Sequence, residues 1–202
     1  MNIEESIRQF LPQYLSSENQ KKLIEELKDF PNNLDSRFYT RFLKNEKIVF
    51  QGDGIIDLYI TDFPNAETRK AKCLIISNTC DIDPANTRYF ESRLTYAPLM
   101  SLEMYRANLI NNKIAEQKIK DHIAAIKSQI ITQIFYLPAN SEIPEAIVFL
   151  DRLNNCNIDV ITSDTINKKR LFTLSNYGFY LLLLKLSMAF TRIGESVDRD
   201  EP

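Results

Sequence analysis

Lys72-Cys73-Leu74-Ile75-Ile76-Ser77 is the stretch that decides the fold. Its uncharged, β-branched centre reads as a short buried strand. Working outward, Ile55 to Ile60 is β-rich, and Gly52-Asp53-Gly54 ahead of it is turn-forming. Ile48-Val49-Phe50 is a further β-rich piece upstream. Thr61 to Arg69, which contains Pro64, Asn65 and several charges, reads as a loop. On the other side Asn78 to Arg88 is rich in turn residues, and Leu94 to Leu99 is the next strand. Phe135-Tyr136-Leu137 and Ala146 to Leu150 add two more.

Helical patterning surrounds and interrupts these strands. Ile3, Ile7, Phe10 and Leu11 keep helical spacing until Pro12. Ser17, with Gln20 three residues on, predicts the cap of a second helix whose buried face is Leu23, Ile24, Leu27 and Phe30. Pro31-Asn32-Asn33 ends it. A helical turn is expected around Phe38 to Leu43. Residues 1–46 thus read as a helical extension, and 47–202 as the main domain. One long helix is expected over residues 102–134, with Ile119, Ile123, Ile126 and Ile130 at heptad-like spacing. That stripe needs a partner surface, either its own domain or a second chain. A helix from Tyr177 to Ile193, capped by Ser175, closes the chain. Leu181 to Leu184 and Leu186 make it apolar on nearly every side, which belongs in a core or a subunit interface.

Composition narrows the function classes. The 202 residues are 44% hydrophobic and 26% charged, as in an ordinary globular chain. The 25 basic and 27 acidic residues leave a net charge of -2, so nucleic-acid binding requires a local basic patch. Cys73, Cys80 and Cys156 lack metal-ligand spacing and are odd in number, which argues against a zinc site or a disulfide framework. Met-Asn-Ile-Glu-Glu has neither the basic flank nor the apolar run of a signal peptide. The apolar run from Phe179 to Phe190 is shorter than the roughly 20 residues a membrane span needs. The expected location is cytoplasmic.

Three blocks in order resemble the PemK/MazF toxin family. They are Gly52-Asp53-Gly54-Ile55, then Leu74-Ile75-Ile76-Ser77-Asn78 with Asn86 and Tyr96-Ala97-Pro98-Leu99, and finally Ala146 to Leu150 with Asn167-Lys168-Lys169-Arg170-Leu171. They cover about half of the chain. The resemblance implies an α+β fold, a small, mostly antiparallel SH3-like, PemK-type β-barrel decorated with helices. It also implies single-stranded RNA as the ligand, a toxin or defence role, a homodimer, and an antitoxin-like protein partner. Cleavage in the family is metal-independent, requires no cofactor, and relies on electrostatic stabilisation of the phosphorane while the 2′-OH attacks. The family's Arg and Thr positions fall on Ala71 and Met100. The substitutes that the resemblance points to are Arg69, Lys70 and Ser101 as catalytic residues, with Lys72, Thr79, Asn78 and Tyr96 as RNA-binding residues. A catalytically silent barrel serving as a protein-interaction module is the rival reading, since those two departures remove the expected pair.

Other chemistry has less to stand on. Asn78-Thr79-Cys80-Asp81 lies where a strand gives way to a loop, a place where side chains converge on clefts. A Cys80 nucleophile wants a basic partner, and His122, the one histidine, belongs to the inserted helix. Asp81 and Asp83 lack a third ligand at metal-binding spacing. Tyr89 and Phe90, with Tyr96, are aromatic groups able to stack on unpaired bases or to pack between strands.

Overall fold

The computed structural model describes residues 16–86 and 88–190. The helix expected around Ile3 to Leu11, the closing helix beyond Phe190 and the polar tail lie outside the described residues. In chain order the elements begin with α1 (Ser17–Lys28), β1 (Tyr39–Thr40), β2 (Gly54–Asp62), β3 (Glu67–Ile75) and the short α2 (Thr79–Ile82). They continue with β4 (Arg93–Ser101), α3 (Leu102–Asn111), α4 (Glu116–Lys127), β5 (Ile134–Leu137), β6 (Ala146–Phe149) and β7 (Asn154–Asn157). The one-turn α5 (Ile166–Lys169), β8 (Arg170–Leu174) and α6 (Asn176–Phe190) complete them. The class is α+β, and every strand pairing is antiparallel.

Strand order is β1-β8-β2-β3-β4-β6-β5, with β7 also on β4. Tyr96 pairs with Ile75 and with Asn154, so β3 and β7 flank β4 on opposite edges. The terminal strands β1 and β5 do not pair, and the sheet is therefore open where a closed barrel was expected. Both ends show why. β1 has only two residues, Tyr39 and Thr40. At β5 the Gln129 side chain donates to Tyr136 O at 2.7 Å and accepts from Tyr136 N at 3.1 Å, taking the backbone pair that another strand would use. β1 also joins Tyr39 and Thr40 of the expected helical extension to the sheet, through Leu174 and Thr173.

Alternation along the strands feeds separate apolar clusters. Leu74, Ala97, Phe135, Leu137, Val148 and Phe172 pack with α1 and α6. Their strand neighbours Cys73, Ile75, Leu94 and Tyr96 turn the other way, onto Val49, Ile82, Ile161 and Ile166. Ile134, Tyr136 and Ile147 meet Leu102 and Ile126 from the helical insertion. Each fully buried aliphatic or aromatic side chain contributes about 1.5–3 kcal/mol. α1 behaves as its spacing predicts, with Leu23 and Ile24 buried, although its cap is Ser16, which accepts from Asn19 N at 3.3 Å. The buried Asn33 ties α1 to α6, donating to Glu26 O at 2.7 Å and accepting from Tyr177 Oη at 2.5 Å.

The insertion is a helical hairpin and not one helix. Asn112 caps α3, Lys113 takes a left-handed φ of 59°, and α4 begins after Ala115. Its stripe folds back on the chain itself: Ile119 and Ile126 are buried, while Ile130 lies past the helix end and is exposed. Ser175 does cap α6, accepting from Gly178 N at 3.2 Å. Leu181 and Leu182 are buried in the core, whereas Leu184, Met188 and Phe190 face outward. No described helix is long and apolar enough to cross a membrane.

Ile48-Val49-Phe50 forms no strand. Its segment is held by Arg170 at the start of β8, whose guanidinium donates to Leu43 O, Lys44 O, Glu46 O and Ile48 O and pairs with Asp53 at 3.0 Å. Thr173 Oγ1 at 2.6 Å and Phe50 N at 2.9 Å complete the Asp53 carboxylate. Burial raises the Asp53 pKa, opposed by Arg170, Thr173 and Phe50. Gly52 enters this turn at φ 88°, a conformation that glycine adopts without a Cβ penalty. The Gly-Asp-Gly block thus has a structural role at the root of β2.

Candidate nucleic-acid interface

Thr61 to Arg69 is mostly strand. β2 and β3 continue in register through Tyr59↔Lys70, Ile60↔Arg69, Thr61↔Thr68 and Asp62↔Glu67, leaving only residues 63–66 as the turn. Thr and aromatic residues at opposed positions supply the cross-strand contacts that hold such an arm, among them Thr61 and Thr68 with hydroxyls 3.0 Å apart. A bulge between Ile55 and Leu58, with Asp57 at φ 60°, bends β2 at the arm's root. On its β3 edge the arm is unpaired before Cys73, because β3 pairs with β4 only from Cys73 to Ile75, while on the β2 edge Thr61 N donates to Asn154 Oδ1 of β7 at 2.8 Å.

Period-two geometry divides the basic cluster between the faces of the arm. Lys70 and Lys72 share a face with Leu74 and with the cross-strand partner Tyr59. Lys70 Nζ lies 5.5 Å from the centroid of the Tyr59 ring, which is 51% exposed. Arg69 is on the reverse face with Ala71 and Cys73. Burial pushes the Cys73 thiol up to about 12, and Arg69 partly opposes that shift. Among the described residues the side chains of Arg69 and Lys72 have no hydrogen bond or ion pair. Asp62 and Glu67 make the tip acidic, so the cationic strip is confined to the middle of the arm.

Ser101 is engaged elsewhere. It ends β4 opposite Ala146, and its hydroxyl caps α3 by accepting from Met104 N at 3.1 Å. Past Pro98, β4 turns to β6 while β3 stays with β2. No hydrogen bond among the described residues joins Ser101 to Arg69 or Lys70. Asn78 and Thr79 sit at the opposite end of β3. At about 3.3 Å per residue, the six strand steps from Arg69 to Ile75 alone span about 20 Å. Asn78 caps α2 through Cys80 N at 2.9 Å, and Thr79 Oγ1 accepts from Gln51 N at 3.0 Å. The expected set therefore divides into an arm group of Arg69, Lys70 and Lys72, a helix cap, and a remote turn.

Tyr96 requires correction. It is 1% exposed, its hydroxyl donates to Tyr59 O, and its ring packs with Ile75 and Leu94, so no base can stack on it. Tyr89 and Phe90 are the exposed aromatics of that region. The Cys80 thiol is exposed with Asp81 held by Arg88 at 2.8 Å, while His122 bonds to Tyr105 Oη at 2.9 Å within the inserted hairpin. Among the described residues no group of three or more His, Cys, Asp or Glu side chains is placed to hold a metal ion. Sequence reading passed over Tyr59. Its signal was its position opposite Lys70, visible only once residues 61–69 are paired.

No protein-family model matches this chain, and a search of the curated proteins finds no match.

Proposed function

We propose that this chain is a PemK/MazF-like protein that binds single-stranded RNA on the β2–β3 arm without cutting it. The observation that carries the reading is the face on which Tyr59 lies against Lys70 and beside Lys72, with Lys72 free of any partner among the described residues. Single strands are held by this combination, cations on phosphates and an aromatic ring under a base. Binding without cleavage follows from the placement of the remaining groups, since Ser101 is spent on a helix cap and Arg69 faces away from Lys70. A homodimer through the outward side of α6 would cover Leu184, Met188 and Phe190, and an antitoxin-like protein would compete for the arm.

The test is fluorescence anisotropy with a labelled single-stranded RNA of about 16 nucleotides. Lys70→Ala/Lys72→Ala should weaken binding and reduce the salt slope by about 1.4, at ~0.7 per lost phosphate contact. Equal affinity and slope in the double variant would refute the assignment. Discrete cuts in EDTA that vanish in Arg69→Ala would show an active nuclease instead. A second reading, a protein-interaction module, is favoured by Met104, Ile110 and Ile114 on the inserted hairpin and Ile130 just after it, all exposed. Loss of a bound protein on Ile110→Asp, with RNA binding unchanged, would support it.

A further inference from the structure

At the far end of β3 from the arm, Lys47 to Val49, the turn Ile82 to Asn86 with Arg88 and Phe90, and the segment Ile158 to Ile166 enclose a cleft of about 540 Å³. This lies within the range of small-molecule sites. Its floor is aliphatic: Val49, Ile82, Ile161 and Ile166 are all buried, and they pack against the Cys73 and Ile75 face of the sheet. Lys70 and Lys72 belong to the opposite face, so the cleft is separate from the arm and does not depend on RNA binding there.

The walls carry a specific combination of groups. Phe90 stands at the cleft 72% exposed, with its ring open to a ligand. Arg88 uses one terminal nitrogen, Nη2, on Asp81 Oδ1 at 2.8 Å and Cys80 O at 3.0 Å. Its Nε and Nη1 have no partner among the described residues, and neither does the Lys47 ammonium. Asp83 and Asp159 line the same cleft. A purely anionic ligand such as an acidic peptide would meet both carboxylates. A flat ring bearing hydroxyl or amino donors and one anionic group would satisfy every side: ring on the aliphatic floor and against Phe90, donors to the carboxylates, anion to Arg88 and Lys47.

We propose that this cleft binds one nucleotide, with its base on the Val49–Ile82–Ile161–Ile166 floor beside Phe90 and its phosphate at Arg88 and Lys47. The same chemistry is offered by a free nucleoside monophosphate and by one unstacked nucleotide of an RNA strand. A smaller cleft of about 280 Å³ shares Arg88, Phe90 and Ser92 and adds Asn78 and Arg93, giving a neighbouring nucleotide room.

The experiment is an NMR titration of the full chain with AMP, UMP, inorganic phosphate and a tetranucleotide RNA. Saturable shifts are expected at residues 47–49, 82–92 and 158–166 with both nucleotides. Phe90→Ala and Lys47→Ala, both at exposed positions, should each weaken AMP and UMP binding at least threefold. A tetranucleotide binding tenfold tighter than AMP identifies an RNA strand as the source, and equal affinities identify the free nucleotide. Absence of saturable shifts with every nucleotide overturns the inference, as does phosphate binding as well as AMP with Phe90→Ala unaffected. The arm assignment stands or falls separately, on the Lys70→Ala/Lys72→Ala anisotropy.

Discussion

Lys168-Lys169-Arg170 and Arg69-Lys70-Ala71-Lys72 are similar basic runs in the sequence, and the fold treats them oppositely. Arg170 is 2% exposed at its side chain and has five acceptors, the Asp53 carboxylate and four backbone carbonyls. Lys70 and Lys72 stand on an open strand face, with Tyr59 directly across from Lys70. Lys185 is intermediate: buried within α6, it donates to Gln129 O and Ile131 O at 2.5 and 2.6 Å. The difference teaches that a cation's role is set by how fully its donors are met. Three guanidinium nitrogens all engaged by acceptors in a dry site make a structural clamp, and unsatisfied donors in water remain available to a ligand.

The largest effect should come from breaking the clamp. Arg170→Ala strands Asp53 in the core and should cost about 3–5 kcal/mol, read as a lower urea midpoint. Arg170→Lys keeps the charge but lacks the planar fork, and should recover only part of that loss. A midpoint unchanged by Arg170→Ala would end the distinction drawn between the two runs.

The intermediate cation should show itself in pH dependence. Burial pushes Lys185 down to about 8. Below pH 8 the folded and unfolded chains both hold its proton. Between pH 8 and about 10.4 the unfolded chain keeps the Lys185 proton and the folded chain releases it, so this group's contribution to stability rises with pH, opposed from about pH 8.5 by Cys73, whose thiol ionises first in the unfolded chain. Above about pH 10 the slope should reverse, because burial pushes Tyr177 up to about 12 and Tyr39 still higher, and the unfolded tyrosines ionise first. Chemical denaturation of the parent and of Lys185→Met from pH 7 to 11 isolates the lysine as the difference between the two profiles, which should grow from pH 8 to about 10.4. Parallel profiles in the two proteins contradict the burial of that ammonium.

Ser101→Ala sharpens the contrast between expected catalysis and observed structure. Loss of the α3 cap should cost about 1 kcal/mol in thermal or urea unfolding, with RNA affinity unaltered. The smallest stability change belongs to Lys70→Ala/Lys72→Ala, within about 0.5 kcal/mol of the parent. A larger loss would mean that the arm's lysines are structural after all.

Much of the framework was legible because it rests on local chemistry. An uncharged, β-branched centre marked Lys72 to Ser77 as a buried strand, helical spacing marked the Leu23 and Ile24 face, and a hydroxyl before an apolar run marked Ser175 as a cap. The misreadings have equally definite causes. Charge and Pro64 disguised the arm as a loop, since cross-strand pairing outweighs weak β propensity once two strands are in register. Asn112 and Lys113 were overlooked as a break because the isoleucine spacing continued past them. Tyr96 looked available to a base because burial is decided by strands far away in sequence.

The sequence by itself determined the α+β class, most of the strands, the two-sided burial of β3 and the apolar closing helix, all consequences of which side chains seek water within a few residues of one another. Only the tertiary structure decided that the sheet stays open, that Arg170 is a clamp and Lys70 an exposed contact, and that Lys47, Arg88 and Asp159 line one cleft. The clamp and the cleft bring together groups separated by tens of residues, and spacing along a chain carries no record of which of them will meet.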